Sequence, residues 1–525
     1  MTPMRWVCGR IGIPVAAVLL LTTIWSLPTG AMTSRPLSGV RSITGGAANS
    51  CALLTSGRVD CWGDGQFGEL GNGKIYTSAS RGSAVPVAVE GVGGSGTLAG
   101  VASLAADDLG FCALLTSGKV DCWGNGVSGQ LGNGRFYGGN TPASAVPVAV
   151  KGVGGIGMLS GVTRLIGAGN GVCALLSSSD ADCWGAGNFG QLGNGKFYTN
   201  PKAAGSDVPV AVDGLGGSGT LAGVRSLYTD SGIGFCALLA SGGVDCWGEG
   251  DYGQLGNGTF YPFGSGNGSA VPVAVEGVGG IGTLGGVATL TSEDYGSGGG
   301  EFCALLTSSE VDCWGDGQFG QLGNGHFDTT GNEGSAVPVD VKGMGGTGVL
   351  TGVTSLVIDG GGICALLNSD KVYCWGIGYD GEVGNGKFYT NPKALGSDVP
   401  VGVKGVGGAG TLDGVASLTG AALGSCALLA SGGVDCWGYG YYGELGNGRL
   451  YTSGNAGSAV PVAVEGVDRS GTLAGVGSLT SYGMDQGFCG RLRSGEADCW
   501  GEGGAGQLGN GAFDTQRAAP VEVIA

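Results

Sequence analysis

Residues 51–73 read CALLTSGRVDCWGDGQFGELGNG, and seven variants of this stretch follow along the chain. Each copy carries a Trp-Gly pair, and successive pairs are separated by 61 to 67 residues. Recurrence at a nearly fixed period is the signature of a repeat architecture. The fold is therefore interpreted from the whole set of copies rather than from any single motif. The repeated tryptophans are Trp62, Trp123, Trp184, Trp247, Trp314, Trp375, Trp437 and Trp500.

Each copy also contains two cysteines on either side of a turn signal such as TSGR. Counting outward from Ser56, Cys51 and Cys61 lie directly opposite each other on a hairpin, close enough for a disulfide. Zinc is the competing interpretation, but two thiolates per copy and one histidine in the chain, His326, cannot complete a tetrahedral site in each copy. We predict eight disulfides, each closing a short loop and worth about 2–3 kcal/mol, which indicates an oxidising compartment. The predicted pairs are Cys51 with Cys61, Cys112 with Cys122, Cys173 with Cys183, Cys236 with Cys246, Cys303 with Cys313, Cys364 with Cys374, Cys426 with Cys436, and Cys489 with Cys499.

The N-terminal stretch has the pattern of an export signal. Arg5 and Arg10 precede an apolar run over residues 11–27, and small residues follow as far as Ala31. This pattern predicts a signal peptide at 1–31, a linker at 32–38, the repeats at 39–525, and an extracellular or cell-surface location. An uncleaved signal anchor is the alternative, and it would be the only attachment to a membrane.

Each repeat contains four short stretches with strand character, which in the first copy are VRSI, CALL, VDCWG and VPVAV. Four strands per unit, eight units and no helical periodicity predict an all-β fold, a β-propeller. We expect eight four-stranded blades with one cross-strand disulfide per blade. A seven-bladed ring with one unit outside the circle is the alternative, and the closure of the ring is left open.

Composition restricts the choice of partner. The chain has 525 residues, 120 of them Gly, and a formal net charge of -17. Nucleic acids and anionic membranes demand a basic footprint, so neither is expected as a partner. The acidic charge fits a soluble protein whose molecules repel one another and so stay monodisperse.

The unit V-x-x-L … C-A-L-L-x-S-G-x-V-D-C-W-G-x-G-x-x-G-x-L-G-N-G … V-P-V resembles the repeat of the regulator-of-chromosome-condensation (RCC1-like) family, in particular its secreted bacterial branch. The resemblance covers residues 39–525 and implies a propeller. The family founder is a nuclear guanine-nucleotide exchange factor, usually with seven blades. The acidic charge and the signal pattern depart from that founder, so exchange activity is disfavoured here.

The sequence also contains the pattern G-x-G-x-x-G, first at Gly63, Gly65 and Gly68. This pattern follows a strand, as a dinucleotide fingerprint does. It recurs in every unit, however, and the following LGNG cannot begin the helix that would receive a pyrophosphate. We interpret these glycines as structural. With one histidine there is no His-based triad, so we expect no enzyme activity, no cofactor and no metal.

The positions that fail to repeat are the candidates for binding. Two positions before the third Gly of each G-x-G-x-x-G differ from unit to unit, and we call them the variable pair. Loops on a rigid scaffold concentrate binding residues, and Tyr and Phe are favoured interface anchors. We predict that aromatic members of the variable pairs form a rim on one face of the ring. These candidates are Phe67, Phe189, Tyr252, Phe319, Tyr379, Tyr441 and Tyr442.

A second set follows LGNG, and we expect its tyrosines to pack between blades. The set comprises Tyr76, Tyr137, Tyr198, Tyr261, Tyr389 and Tyr451, with Asp328 and Asp514 in the other two units. The function predicted from the sequence is a secreted or cell-surface protein that binds another protein through one propeller face. A wall-associated structural or adhesive protein that binds polysaccharide is the alternative, and an exchange-factor-type regulator is disfavoured.

Overall fold

The structure is a computed structural model. It describes residues 35–77, 81–139, 142–201, 203–230, 233–262, 267–292, 300–329, 331–421, 423–482 and 486–525. The predicted signal peptide at 1–31 and the first part of the predicted linker lie outside these residues. Residues 35–525 belong to one compact unit.

The described residues form eight antiparallel sheets of four strands each, and the strands of each sheet follow one another in chain order. The predicted eight blades are confirmed, and the alternative of seven blades with an extra unit is wrong. Blade one contains β1–β4 and blade eight contains β29–β32. The strands are β1 Val40–Gly45, β2 Asn49–Leu54, β3 Val59–Asp64, β4 Gly82–Ala88, β5 Val101–Asp107, β6 Gly110–Leu115, β7 Val120–Asn125, β8 Ala143–Ala149, β9 Val162–Ala168, β10 Gly171–Leu176, β11 Ala181–Ala186, β12 Gly205–Ala211, β13 Val224–Asp230, β14 Gly234–Leu239, β15 Val244–Glu249, β16 Gly268–Ala274, β17 Val287–Ser292, β18 Glu301–Leu306, β19 Val311–Asp316, β20 Gly334–Asp340, β21 Val353–Ile358, β22 Gly362–Leu367, β23 Val372–Ile377, β24 Gly396–Gly402, β25 Val415–Ala421, β26 Gly424–Leu429, β27 Val434–Tyr439, β28 Gly457–Ala463, β29 Val476–Tyr482, β30 Gly487–Leu492, β31 Ala497–Glu502 and β32 Gln516–Glu522.

Short 3-10 turns lie in the segments that lead from one blade to the next. They are Val92–Gly94, Val153–Gly155, Leu215–Gly217, Val278–Gly280, Met344–Gly346, Val406–Gly408 and Val467–Arg469. The first turn lies against β8, the outermost strand of blade two, and the others repeat this contact. Each crossover therefore covers the edge of the neighbouring blade, which leaves less of that edge open to pairing.

The two central strands of each blade form the predicted hairpin. In blade one Cys51 is paired directly with Cys61, and their Cα atoms are 4.1 Å apart. The cysteines are buried, so each cross-link lies within the packed part of its blade. All eight predicted disulfides are confirmed, one in each blade: Cys51 with Cys61, Cys112 with Cys122, Cys173 with Cys183, Cys236 with Cys246, Cys303 with Cys313, Cys364 with Cys374, Cys426 with Cys436, and Cys489 with Cys499.

The hydrophobic core lies between blades and not within them. One cluster joins Cys51 and Leu70 of blade one to Phe111 and Trp123 of blade two. The Trp123 indole Nε1 donates a hydrogen bond to the carbonyl of Glu69 at 2.7 Å, and this bond to the preceding blade recurs at every junction. No blade can bury its own apolar surface alone, as is usual for repeat proteins.

The ring closes between blades eight and one without exchanging a strand. The Trp62 Nε1 donates to the carbonyl of Gln507 at 2.8 Å, which is the ordinary contact between consecutive blades. Pro36 and Ile524 form an isolated bridge beside it. The first strands of consecutive blades contact one another all the way round, including β29 with β1. These strands are therefore the innermost ones, and the fourth strands are at the periphery.

Candidate functional site

The blades present two different ends because their strands alternate in direction. The connections from the first to the second strand and from the third to the fourth emerge at one end, which we call the loop face. In blade one these connections include residues 46–48 and 65–77. The central hairpin turns and the crossovers emerge at the opposite end, the turn face. All eight variable pairs therefore lie on connections of the loop face.

The G-x-G-x-x-G segment is a backbone corner. Gly63 has a φ of +100°, which side-chain-bearing residues rarely adopt. A Cβ atom on Gly65 would lie 2.6 Å from the Tyr76 ring, and one on Gly68 would lie 2.7 Å from the Cα of Ala145 in blade two. Residues 68–73 contain no helix. The glycines allow close approach of backbone and neighbouring blade, and the segment offers no helix N-terminus to a phosphate.

A buried Glu or Gln side chain holds the backbone of each variable pair. The Phe67 N–H donates to Glu69 Oε2 at 2.8 Å, and the Phe319 N–H donates to Gln321 Oε1 at 2.8 Å. The same contact occurs in all eight blades. A partner would thus meet a backbone that is already ordered, which lowers the entropic cost of binding. The acceptors, all buried, are Glu69, Gln130, Gln191, Gln254, Gln321, Glu382, Glu444 and Gln507.

Six of the seven predicted binding residues are half-buried, and Tyr441 is exposed. The six are Phe67, Phe189, Tyr252, Phe319, Tyr379 and Tyr442. Most of them stand singly, one to a blade. In blade seven the structure brings together Tyr439, Tyr441 and Tyr442, with ring centroids 5.1 to 6.4 Å apart. The role of these side chains in binding stays a prediction.

A cavity of about 190 Å³ opens beside this tyrosine cluster, between blades seven and eight. Tyr439, Tyr442 and Phe488 line it, together with Glu444. Burial raises the pKa of the Glu444 carboxyl to about 8, so this group is mostly protonated at neutral pH. The cavity therefore presents a largely apolar and uncharged lining.

A wider cleft of about 360 Å³ lies between the third-to-fourth-strand connections of blades four and five. Its aromatic lining comprises Tyr252, Phe260 and Tyr261, and its acidic lining comprises Asp251 and Glu333. The cleft combines a predicted binding residue, Tyr252, with its partner in the variable pair, Asp251, and with Tyr261 of the second set. Phe260 and Glu333 were not selected from the sequence.

The tyrosines after LGNG are structural, as expected. The Asn72 amide nitrogen donates to the Tyr76 hydroxyl at 3.0 Å, and the ring packs against the core shared by blades one and two. The other five tyrosines accept the same hydrogen bond. In blade eight Asn510 makes this bond to Asp514 at 3.0 Å.

A hydrophobic residue that was not predicted from the sequence lies directly before each of these residues. Phe197 is 37% exposed and Phe513 is 53% exposed. A Cβ on Gly190, the third glycine of its corner, would lie 3.0 Å from the Phe197 ring, so this ring stands next to the variable pair. A hydrophobic residue in all eight copies of an otherwise polar segment was the available signal. The set is Ile75, Phe136, Phe197, Phe260, Phe327, Phe388, Leu450 and Phe513.

The turn face carries exposed apolar side chains that were also missed. Ile156 and Ile281 are 84% and 82% exposed on the crossovers of blades two and four. Exposed apolar residues also open most crossovers: Val92, Val153, Leu215, Val278, Met344 and Val406. Both faces thus present apolar groups, but the turn-face groups are nearly uniform from blade to blade.

Within the part of the chain that the structure describes, no three Cys, His, Asp or Glu side chains are grouped so that they could hold a metal ion. The same residues contain no helix long and apolar enough to cross a membrane.

Comparison with known proteins identifies the repeat. The pattern of the "Regulator of chromosome condensation (RCC1) repeat" family matches residues 40–69. The chain is 30% identical over 231 residues to the human E3 ubiquitin-protein ligase HERC2, which covers 42% of this chain but only 4% of HERC2. It is 26% identical over 349 residues to the ultraviolet-B receptor UVR8 of Arabidopsis thaliana, covering 66% of this chain and 67% of UVR8.

Among solved structures, yeast RCC1 (Prp20) bound to Kap60 superimposes with a TM-score of 0.53 at 20% identity. The match covers 81% of this chain and 86% of that one. This likeness supports the propeller fold and leaves open the partner of the present chain. The chain thus carries a match to the regulator-of-chromosome-condensation (RCC1) repeat in its first blade, and it is similar over part of its length to proteins that contain such repeats.

Proposed function

We propose that this protein is an exported binding protein that recognises another protein through its loop face. The observation that carries the proposal is the anchoring of all eight variable pairs. Their residue types vary around the ring, with Gln-Phe shared by blades one and five, while their backbones are held in one way by buried Glu or Gln. A constant frame with varied side chains at one face is the arrangement expected of a specific binding surface.

Two features favour a protein as the ligand. The loop face offers half-buried aromatic side chains on pre-ordered backbone, and such groups anchor protein interfaces at low entropic cost. A relative with the same fold, yeast RCC1, has been crystallised with a protein, Kap60. The acidic chain, with a net charge of -17, favours a basic partner surface.

Export is the second part of the proposal. It is supported by the signal pattern at 1–31 and by eight disulfides, which persist in oxidising compartments. Protein recovered outside the producing cells should begin shortly after Ala31. Retention of the whole chain in the cytoplasm with free thiols would contradict this part.

The binding face is tested by immobilising the propeller and measuring which secreted and surface proteins it captures. We expect simultaneous replacement of Phe67, Phe189, Tyr252, Phe319 and Tyr442 by Ala to reduce capture at least tenfold. Because these side chains are half-buried, their replacement could also destabilise the fold. The loss of capture counts as a loss of binding only when the variant keeps the melting temperature of the unmodified protein. The matched control replaces five exposed residues of the turn face, Val92, Val153, Leu215, Val278 and Val406, by Ser.

If the turn-face variant lost the partner and the loop-face variant kept it, the proposed face would be wrong. Binding to a glycan array in place of proteins would favour the polysaccharide alternative. The tyrosine cluster of blade seven and its uncharged cavity are the features that support this second candidate.

A further inference from the structure

Two of the eight junctions between blades carry a carboxylate at the end of the third strand on both sides. These are the junction of blades eight and one, with Glu502 and Asp64, and the junction of blades four and five, with Glu249 and Asp316. At the other six junctions at least one of the two positions is uncharged. From blade one to blade eight the strand ends with Asp64, Asn125, Ala186, Glu249, Asp316, Ile377, Tyr439 and Glu502.

Between blades eight and one the chain supplies its own cation. The Arg81 guanidinium lies 3.7 Å from the Asp64 carboxylate. Burial raises the pKa of the Glu502 carboxyl, and the Arg81 charge counteracts that rise. Arg81 immediately precedes β4, and its carbonyl accepts the Gly65 N–H at 2.9 Å. Its position in the blade is therefore fixed by the corner.

Between blades four and five the same position holds Glu333. Its carbonyl accepts the Gly317 N–H at 2.9 Å, which is the bond that Arg81 makes in blade one. Where the first junction has a cation between two carboxylates, this junction has a third carboxylate. Asp251 of the variable pair adds a fourth. Within the described residues, the four carboxylates form no ion pair with Lys or Arg.

The four carboxylates act on a common aromatic side chain, Tyr252. Burial raises the pKa of the Tyr252 hydroxyl, and the charges of the acidic groups raise it further. The acidic groups responsible are Asp251, Asp316, Glu333 and Glu249. Asn267 donates to Glu249 at 2.7 Å, and its buried Oδ1 accepts no hydrogen bond from the residues that the structure describes. The junction thus presents acceptors in excess of donors.

The cleft of about 360 Å³ described above opens at this junction, with Tyr252, Phe260 and Tyr261 in its lining and Asp251 and Glu333 among them. Carboxylates bind a guanidinium through paired, charge-assisted hydrogen bonds. Aromatic faces bind it by stacking and by cation–π attraction. A guanidinium satisfies both kinds of group at once because it is planar and permanently charged.

We propose that the cleft between blades four and five binds an arginine side chain of the protein partner, in the position that Arg81 takes between blades eight and one. This inference rests on the proposed function and specifies the chemistry of its ligand. Lysine fits less well because its compact ammonium cannot pair with two carboxylates and stack at the same time. A divalent metal is disfavoured, because no three acidic groups of the described residues lie close enough to share one ion.

The test uses the whole folded protein and three Gly/Ser nonapeptides whose central residue is arginine, lysine or citrulline. Citrulline keeps the planar shape of arginine and removes its charge. Ligand-observed NMR titration at low salt should show the arginine peptide binding at least tenfold more tightly than the citrulline peptide. The variant Glu333→Arg copies blade one and should abolish this preference. Glu333→Gln should reduce it, in case the first variant perturbs folding.

Glu310→Arg is the matched control, because it makes the same change of charge in the same blade at the turn face. It should leave the preference for arginine intact. Equal binding of the arginine and citrulline peptides would overturn the inference. An equal loss of the preference for arginine in Glu333→Arg and in Glu310→Arg would also overturn it. Calcium binding at micromolar concentration that Glu333→Arg abolishes would also overturn it, since the site would then belong to a metal.

The outcome is separable from that of the proposed function. If Glu333→Arg captures the natural partner as well as the unmodified protein does, the arginine site is wrong while the loop-face function stands. If the aromatic loop-face variant captures the partner normally, the function is wrong whatever the peptides show.

Discussion

The buried side chain that accepts the backbone N–H of each variable pair is Gln in five blades and Glu in three. The three carboxyls are buried, and burial raises the pKa of Glu69 to about 7 and those of Glu382 and Glu444 to about 8. Near neutral pH Glu382 and Glu444 are mostly protonated and Glu69 is about half protonated, and a protonated carboxyl, like an amide, offers both a donor and an acceptor. Glu and Gln are therefore expected to stabilise the fold similarly at this position only at a pH at which the Glu carboxyl is protonated.

This equivalence predicts a pH-dependent stability. The folded-state pKa values of these three groups lie above the unfolded value, so the folded state binds more protons. Their contribution is fully present below about pH 4.5 and is lost as the pH rises through about 7 to 8. Replacing Glu69, Glu382 and Glu444 together by Gln should raise the melting temperature by several degrees near pH 9 and change it little near pH 5.

Thermal unfolding of the two proteins across this pH range measures the effect. The control is Gln321→Glu, which should steepen the loss of stability at high pH because it adds a fourth buried carboxyl. If the triple variant changed the melting temperature by the same amount at pH 5 and at pH 9, ionisation of the three carboxyls would not be the cause.

At the scale of the element, the junction between consecutive blades depends on a glycine placed against a tryptophan. Gly256 of blade four has a φ of +64°, and a Cβ there would lie 2.8 Å from Val275 and 2.9 Å from the Trp314 indole nitrogen of blade five. That nitrogen donates to the carbonyl of Gln254 at 2.9 Å. The LGNG motif thus brings the backbone of one blade against the indole of the next.

Gly256→Ala should lower the free energy of unfolding by about 3 kcal/mol or more, because it combines left-handed backbone strain with overpacking of the junction. Gly279→Ala in the same blade separates the two causes. Gly279 also has a φ of +64°, but a Cβ there has no atom within 4 Å, so only the strain of about 1–2 kcal/mol remains. Chemical denaturation measures both, and equal losses would show that the tryptophan contact contributes nothing.

The frame of each blade could be predicted from sequence, whereas the surface could be predicted only in part. The disulfides and hairpins follow from spacing, since Cys51 and Cys61 are placed symmetrically about a turn. The variable pairs were found because they fail to repeat. Phe197 and its equivalents were missed because a constant hydrophobic residue suggests burial, and only the structure shows it lying on the outside of a glycine corner. The cleft at Glu333 depends on residues from two blades, which no single repeat reveals.

For the whole molecule, one junction differs from the other seven in its covalent connection. Consecutive blades are linked by a crossover, but blades eight and one meet only through non-covalent contacts. These contacts include the Trp62 hydrogen bond, the Arg491 guanidinium donating to the carbonyl of Val40 at 2.7 Å, and the Leu37 N–H donating to the carbonyl of Val523 at 2.7 Å. This junction is therefore the place where the ring can open without unfolding a blade.

Val523→Ala and Val464→Ala test this property of the ring. Val523 is fully buried in the cluster shared by blades eight and one, and Val464 is fully buried in the cluster shared by blades seven and eight. Each change should cost about 1–3 kcal/mol in global stability, because each removes buried methyl groups and leaves a small cavity. Only Val523→Ala should also raise the native-state hydrogen exchange of β1 and β32 above that of the other strands. In Val464→Ala the crossover keeps the two blades together, so opening there requires a larger part of the ring to unfold. Indistinguishable exchange patterns in the two variants would contradict the prediction, since closure would then be as strong as any linked junction.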